Sequence, residues 1–312
     1  MVRIGSSDLN VFPLNLGGNV FGWTADKQTS FDVLDAFVAG GGNFIDTADA
    51  YSAWVPGNNG GDSETIIGQW IASRGNRDKV VIATKVGSWS EAPGASRANI
   101  IAAVDGSLQR LQSDYIDLYY IHRDDTNTPL EETIAALDEL VKAGKVRAIG
   151  ASNFTPERLE AALAVSERTG QAAFVALQPH YNLMHRAEYE GALEQVVATH
   201  GLSTIPYASL ASGFLTGKYR DENASSDTSP RSGGARKYLD GRGRKVLAAL
   251  DAVAAAHNVS VTSVSLAWLR QQPAVAAPIA SASTPAQVPD LLASATLDLT
   301  ADELAALSAA SS

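Results

Sequence analysis

The sequence predicts an α/β chain closed into a single (β/α)8 barrel, with an N-terminal β-hairpin cap and a C-terminal helix. Three observations carry this expectation. Short β-branched or aromatic runs recur at residues 42–46, 79–85, 115–121, 145–150, 173–178, 202–207 and 275–280. Alanine- and leucine-rich segments of helical period separate most of them. The alternation runs through 312 residues without a change of composition, which favours one barrel over two domains. An open doubly wound sheet is the competing architecture.

The elements follow in order. Pro13–Gly18 is the first strand, and a short hairpin through Gly5–Asp8 precedes it, placed to plug the lower end of the barrel. Phe31–Ala39, Ile100–Leu111, Leu130–Ala143 and Arg158–Glu167 carry helical spacing. Three helix starts are marked. Thr128-Pro129-Leu130-Glu131 combines an N-cap threonine, a first-turn proline and a capping-box glutamate; Thr155-Pro156 repeats the cap and proline; Thr300-Ala301-Asp302-Glu303 opens the C-terminal helix. Two inserts interrupt the rhythm. Ser52–Gly61 carries Trp54 and reads as a substrate-side loop. Lys218–Arg244 is polar and glycine-rich, a long surface loop or, because it follows the seventh strand, a mobile lid over a bound cofactor. Neither marks a domain boundary, so residues 1–312 form one domain.

Composition narrows the function. Hydrophobic residues make up 45% and charged residues 19%, enough apolar content for a sizeable core. A net charge of −10 without a basic cluster disfavours binding to nucleic acid or to an anionic membrane surface. The absence of cysteine excludes disulfides and thiolate chemistry, and the five histidines (122, 180, 185, 200, 257) lack metal-ligand spacing, so no metal is expected. With no leader-like N-terminus and no apolar run of membrane-spanning length, the expected location is the cytoplasm. The sequence specifies no oligomeric state.

Four polar residues stand where apolar strands end. Asp46 follows Asn43-Phe44-Ile45, with Tyr51 just beyond; Lys85 follows Val80–Thr84; His122 follows Ile116–Ile121. In a barrel the C-terminal strand ends form the active face. Singly, each has a bland reading: a turn aspartate, a solvent-reaching lysine, a core histidine. Together they bring a carboxylate, a phenol, an ammonium and an imidazole to adjacent strands. A phenol with a pKa of about 10 is a reluctant acid. A neighbouring ammonium stabilises its anion, and a carboxylate keeps a buried lysine charged. A neutral histidine can orient a carbonyl oxygen. The set suits delivery of a proton to a carbonyl while another agent supplies hydride, which protein side chains do not do, so a nicotinamide cofactor is implied. A Schiff-base enzyme using Lys85 as nucleophile is a weaker alternative.

The segments Asn43–Tyr51, Ile82–Gly87 and Asp117–His122 resemble the motifs that carry the catalytic tetrad of the aldo-keto reductases. Ser63–Gly68, Gly144–Phe154, Gln178–Leu183 and Pro206–Leu210 extend the resemblance in the expected order across roughly residues 1–300. It implies a (β/α)8 barrel that binds NADP(H) without a G-x-G-x-x-G fingerprint, and none is present. It also implies that Tyr51 is the general acid, Lys85 and Asp46 its tuning pair, and His122 the residue that orients the carbonyl. Ser152, Asn153 and Gln178 match positions that bond the nicotinamide carboxamide, and Tyr207 matches the aromatic stacked on its ring. Ser209, Leu210, Ser212 and Gly213 resemble the segment that embraces the pyrophosphate.

At the adenosine end, Ser283, Gln287 and Asp290 align with the family's contacts, but Leu291 stands where asparagine is common and no basic residue lies between 271 and 312. Thr284 and Gln287 also read as a capping box. NADP(H) is therefore favoured by resemblance, with NAD(H) open and Arg231, Arg236 or Lys237 as other partners for a 2′-phosphate. Trp23, Trp54 and Trp89 follow active-face strands and, with Phe21, are candidates for an aromatic substrate pocket. The expected activity is reduction of a small carbonyl, or oxidation of a sugar or polyol in reverse. The potassium-channel β subunits share this fold and tetrad, so a cofactor-binding regulatory subunit is the alternative.

Overall fold

The computed structural model describes residues 1–220, 230 and 232–312. Eight parallel strands form the sheet: β1 (Asn15–Gly17), β2 (Phe44–Asp46), β3 (Val81–Val86), β4 (Ile116–Ile121), β5 (Val146–Ser152), β6 (Phe174–Gln178), β7 (Ser203–Thr204) and β8 (Ile279–Ala280). Neighbours pair in sequence order from β1 to β7, and β8 returns to β1 with Ile279 opposite Asn15. The remaining gap is bridged by backbone bonds from Thr204 N–H to Ala274 O (2.8 Å), Ala276 N–H to Thr204 O (2.9 Å) and Ile279 N–H to Pro206 O (2.9 Å). The sheet therefore closes on itself, and the open doubly wound alternative is excluded.

Strand pleating decides what points inward. Along β3, Val81 and Ala83 join the barrel interior while Ile82 and Val86 pack outward in the layer that contains the helices. The same alternation places Phe44, Leu118, Tyr120, Ala148 and Ala176 inside. Continuing that period to the upper strand ends brings Asp46, Lys85, His122, Ser152 and Gln178 to the interior.

The lower end is closed as the sequence predicts. Val2–Arg3 pairs antiparallel with Asn10–Val11, and Ile4, Leu9 and Val11 cap the interior side chains. Gly5 adopts φ +47° and its N–H donates to Ser203 Oγ at 2.8 Å; a side chain there would run into the Val175 carbonyl.

The outer layer comprises α1 (Lys27–Ala39), α2 (Asp62–Arg74), α3 (Arg97–Leu111), α4 (Leu130–Lys142), α5 (Pro156–Thr169), α6 (Ala192–Thr199), α7 (Ser232–Arg236), α8 (Gly241–His257), α9 (Val261–Arg270), α10 (Val288–Ala293) and α11 (Ala301–Ala310). Thr155 and Thr300 cap α5 and α11, the latter with the full capping box through Glu303. Thr128 does not cap α4. Pro129 occupies the cap with ψ 136°, and the Thr128 hydroxyl donates instead to Asp125 Oδ2 at 2.7 Å. The insert read as 218–244 is also shorter than expected, because α7 forms within it and Asp240 caps α8 from Gly241. Residues 221–229 and 231 of that insert, Arg231 included, lie outside the described residues.

Candidate active site

Lys85 is fully buried at the upper end of β3, and three oxygens surround its ammonium. Asp46 Oδ2 and the Thr47 carbonyl both lie 2.6 Å from Nζ, and the Tyr51 hydroxyl lies at 3.2 Å. Burial alone would discharge this lysine, but Asp46 and Tyr51 outweigh it and hold the ammonium above the ordinary lysine value. Burial pushes the Asp46 carboxyl upward, opposed by Lys85 and by a bond from Gln178 Nε2 to Asp46 Oδ1 at 3.0 Å. Lys85 and Asp46 thus form a buried pair at 2.6 Å, each compensating the other's desolvation.

His122 leaves β4 beside this pair. Its ring centroid is 5.9 Å from that of Tyr51 in an edge-on arrangement, and its buried Nδ1 has no hydrogen-bond partner among the described residues. Burial, reinforced by the Lys85 and Arg123 charges, lowers its pKa to about 3, so the imidazole is neutral near pH 7. The four residues picked from strand ends are thus assembled, with Lys85 beneath the other three.

Above them opens a cleft of about 1300 Å³. Asp46, Tyr51 and His122 form its floor, and Ser152, Asn153, Gln178, Tyr207, Ser209, Leu210, Ser212, Gly213, Ser283, Gln287 and Asp290 all line it. Several of these side chains already have partners. Tyr207 OH donates to Asn153 Oδ1 at 2.8 Å, Asn153 Nδ2 donates to the His122 carbonyl at 2.8 Å, and Ser152 Oγ donates to the Gln178 carbonyl at 2.8 Å. Gln178 lines the cleft with its side-chain amide, whose nitrogen is already engaged by Asp46.

The stretch after β7 is contorted. Ala208, Ala211 and Ser212 join Gly213 in left-handed backbone conformations, at φ 54°, 48°, 59° and 94°. Non-glycine residues rarely adopt this region, and successive turns of this kind orient amide groups into an anion-accepting concavity. At the far end, Gln287 does not complete a box with Thr284. Its Oε1 accepts from Ser283 N–H at 2.7 Å, and Ser283 Oγ shares a 2.8 Å bond with Thr24 Oγ1.

The three tryptophans separate. Trp23 lines the cleft; Trp54 is not among the cleft-lining residues but lies edge-on to Trp23 and Tyr51, at 5.7 and 5.8 Å. Trp89 is not on the cleft wall; it sits in a small hairpin, with its indole against Gly60. Glycine at position 60 leaves a gap that the indole fills, so Trp89 packs under the Ser52–Gly61 loop. Asn19, Thr24, Arg123 and Ser281 also line the cleft and were missed. Asn19 follows the Gly17-Gly18 end of β1, a strand-end signal of the kind that found Asp46.

Asp49 was also passed over. It is 1% exposed, and neither carboxyl oxygen has a hydrogen-bond partner among the described residues. Burial and the nearby Glu64 raise its pKa to about 7. Glu64 is fully buried and bound by Thr84 Oγ1 (2.5 Å) and Arg110 Nε (2.7 Å).

Residues 13–312 match the model of the aldo/keto reductase family. The chain is 36% identical to the aldo-keto reductase YhdN of Bacillus subtilis over 88% of its own length and 80% of that protein's. It is 32% identical to protein tas of Escherichia coli over 98% and 96% of the two chains. A probable voltage-gated potassium channel subunit beta from rice, Oryza sativa subsp. japonica, is also 32% identical, over 92% and 88%.

Proposed function

This chain belongs to the aldo/keto reductase family, and from that premise we propose that it reduces small aldehydes or ketones to alcohols with a nicotinamide coenzyme. The observation that carries the proposal is the Lys85 ammonium lying 2.6 Å from Asp46 and 3.2 Å from the Tyr51 hydroxyl at the floor of the cleft. Bound there, the nicotinamide supplies hydride to the carbonyl carbon.

The protein's own residues do the rest. Tyr51 gives its phenolic proton to the carbonyl oxygen as negative charge develops there. The Lys85 ammonium favours the phenolate left behind, and Asp46 keeps that ammonium charged within a buried site. His122, neutral, presents a nitrogen toward the same oxygen and fixes its direction without competing as an acid. Ser152, Asn153 and the side-chain amide of Gln178 serve the carboxamide, Tyr207 covers the ring, and the 208–213 segment, with its four left-handed residues, receives the pyrophosphate. The cleft volume and the neutral His122 at its floor both fit a bound coenzyme with a carbonyl substrate beside Tyr51. NADP(H) is the coenzyme assigned, with Ser283 at the 2′-phosphate. Trp23 and Trp54 flank the substrate. No single helix among the described residues is long and apolar enough to cross a membrane, and the cytoplasm is the setting proposed.

The test is a panel of aldehydes and ketones with NADPH and NADH, run with the wild type and with Tyr51→Phe. Coenzyme oxidation in the wild type and its loss in the variant support the mechanism; equal rates would sink it. The name of the rice relative favours a second reading, a coenzyme-binding subunit with little turnover. Tight NADPH binding with no oxidation across the panel would select it.

A further inference from the structure

Tyr207 is one end of a column of three rings. His180 lies against it at a centroid separation of 5.2 Å and 19° between planes, and His185 stacks on His180 at 3.8 Å and 12°. The backbone sets this alignment: Tyr207 N–H donates to the Pro179 carbonyl at 2.9 Å, holding the segment after β7 beside the segment after β6. Asn182, fully buried, bonds the Ala208 carbonyl at 2.9 Å and lies 3.4 Å from His180 Nε2. Tyr207 is thus fixed at its hydroxyl by Asn153 and across one face by His180.

The column is uncharged where it meets Tyr207. Burial, helped by His185, lowers the His180 pKa to about 4; Glu188 opposes and Lys237 assists. His185 Nε2 sits 3.0 Å from Glu188 Oε2, out of line for a hydrogen bond. Beyond His185 the column reaches a second, smaller pocket lined also by Arg186 and Glu188.

We propose that His180 is a positioning residue for the coenzyme: stacked on Tyr207, it holds that ring in the plane that receives the nicotinamide and backs it with a flat imidazole where a fixed cation would disfavour the oxidised ring. The proposal rests on the reading that Tyr207 stacks on the coenzyme. An aromatic platform attracts a cationic ring through its face. A positive charge directly behind the platform counteracts this for the oxidised form while leaving the reduced form almost untouched. The imidazole therefore supplies a flat backing surface without biasing the site toward either oxidation state.

The test measures binding of NADP⁺ and NADPH separately to the full chain by tryptophan quenching, with thermal melts to establish that each variant is folded. His180→Phe keeps a flat uncharged ring and should bind both forms within about twofold of wild type. His180→Ala removes the backing and should weaken both by roughly three- to tenfold. His180→Arg adds charge and should weaken NADP⁺ relative to NADPH on the order of tenfold. A structural role alone would not change that ratio. Wild-type affinities in His180→Ala, or an unchanged ratio in folded His180→Arg, overturn the proposal. If the wild type binds neither form, the coenzyme reading itself fails and takes this proposal with it.

Discussion

Gln178 donates from Nε2 to Asp46 Oδ1 across 3.0 Å, linking the end of β6 to the end of β2 through the barrel interior. Asp46 consequently meets Lys85 with one oxygen and Gln178 with the other. A residue assigned to the coenzyme also fixes the carboxylate beneath the proton donor. Gln178→Ala should lower kcat by roughly tenfold, the worth of one hydrogen bond to a charged group. Steady-state kinetics beside NADPH titration separate this from the coenzyme contact: a rise in Kd with kcat unchanged would contradict it.

Tyr51→Phe removes only the acid. Carbonyl reduction should fall by about 10²–10⁴-fold, the range of a positioned proton donor, while NADPH affinity stays within about twofold.

The Lys85–Asp46 pair should respond asymmetrically to substitution. Lys85→Met leaves a buried carboxylate without its cation and should cost about 3–5 kcal/mol in urea denaturation. Adding Asp46→Asn to that variant should recover part of the loss, because the stranded charge is gone. A double variant less stable than Lys85→Met would refute the argument.

Asp49 should make stability fall as pH rises. Its carboxyl loses its proton near pH 4 in the unfolded chain but only at about 7 in the folded one. Between those values the folded state holds a proton that the unfolded state has released, so stability declines through the window, by on the order of 4 kcal/mol in all. Melts from pH 5 to 8 should show this slope in the wild type and lose most of it in Asp49→Asn.

Ser283→Arg should raise the preference for NADPH over NADH by more than about tenfold, since a guanidinium pairs with the 2′-phosphate that NADH lacks. Parallel titrations with the two coenzymes read the ratio directly.

The sequence displayed this site because a barrel arranges strand ends by rule. Asp46, Lys85 and His122 each terminate an apolar run, and pleating carries all three inward once the sheet closes. Tyr51 was found through its spacing from Asp46. What escaped depends on contacts between distant segments. The pairing of Thr24 with Ser283 spans 259 positions, and that of Asn19 with Ser281 spans 262; no local pattern encodes either. Trp89 misled for the opposite reason. Its position after a strand looked like that of Trp23, but Gly60, on another loop, accepts its indole. The cap expected of Thr128 failed because Asp125, three residues earlier, takes its hydroxyl.

Closure of the barrel gives the cleft a further property. The first and last strands meet at Asn15–Gly17 and Ile279–Ala280, and Asn19–Ser281 and Thr24–Ser283 continue that seam across the cleft wall. A dinucleotide bound as proposed would span the first and last strands at once and act as a clasp. Its binding would resist parting of the ring at that junction, leaving the unliganded protein the form more open to unzipping from its C-terminal edge.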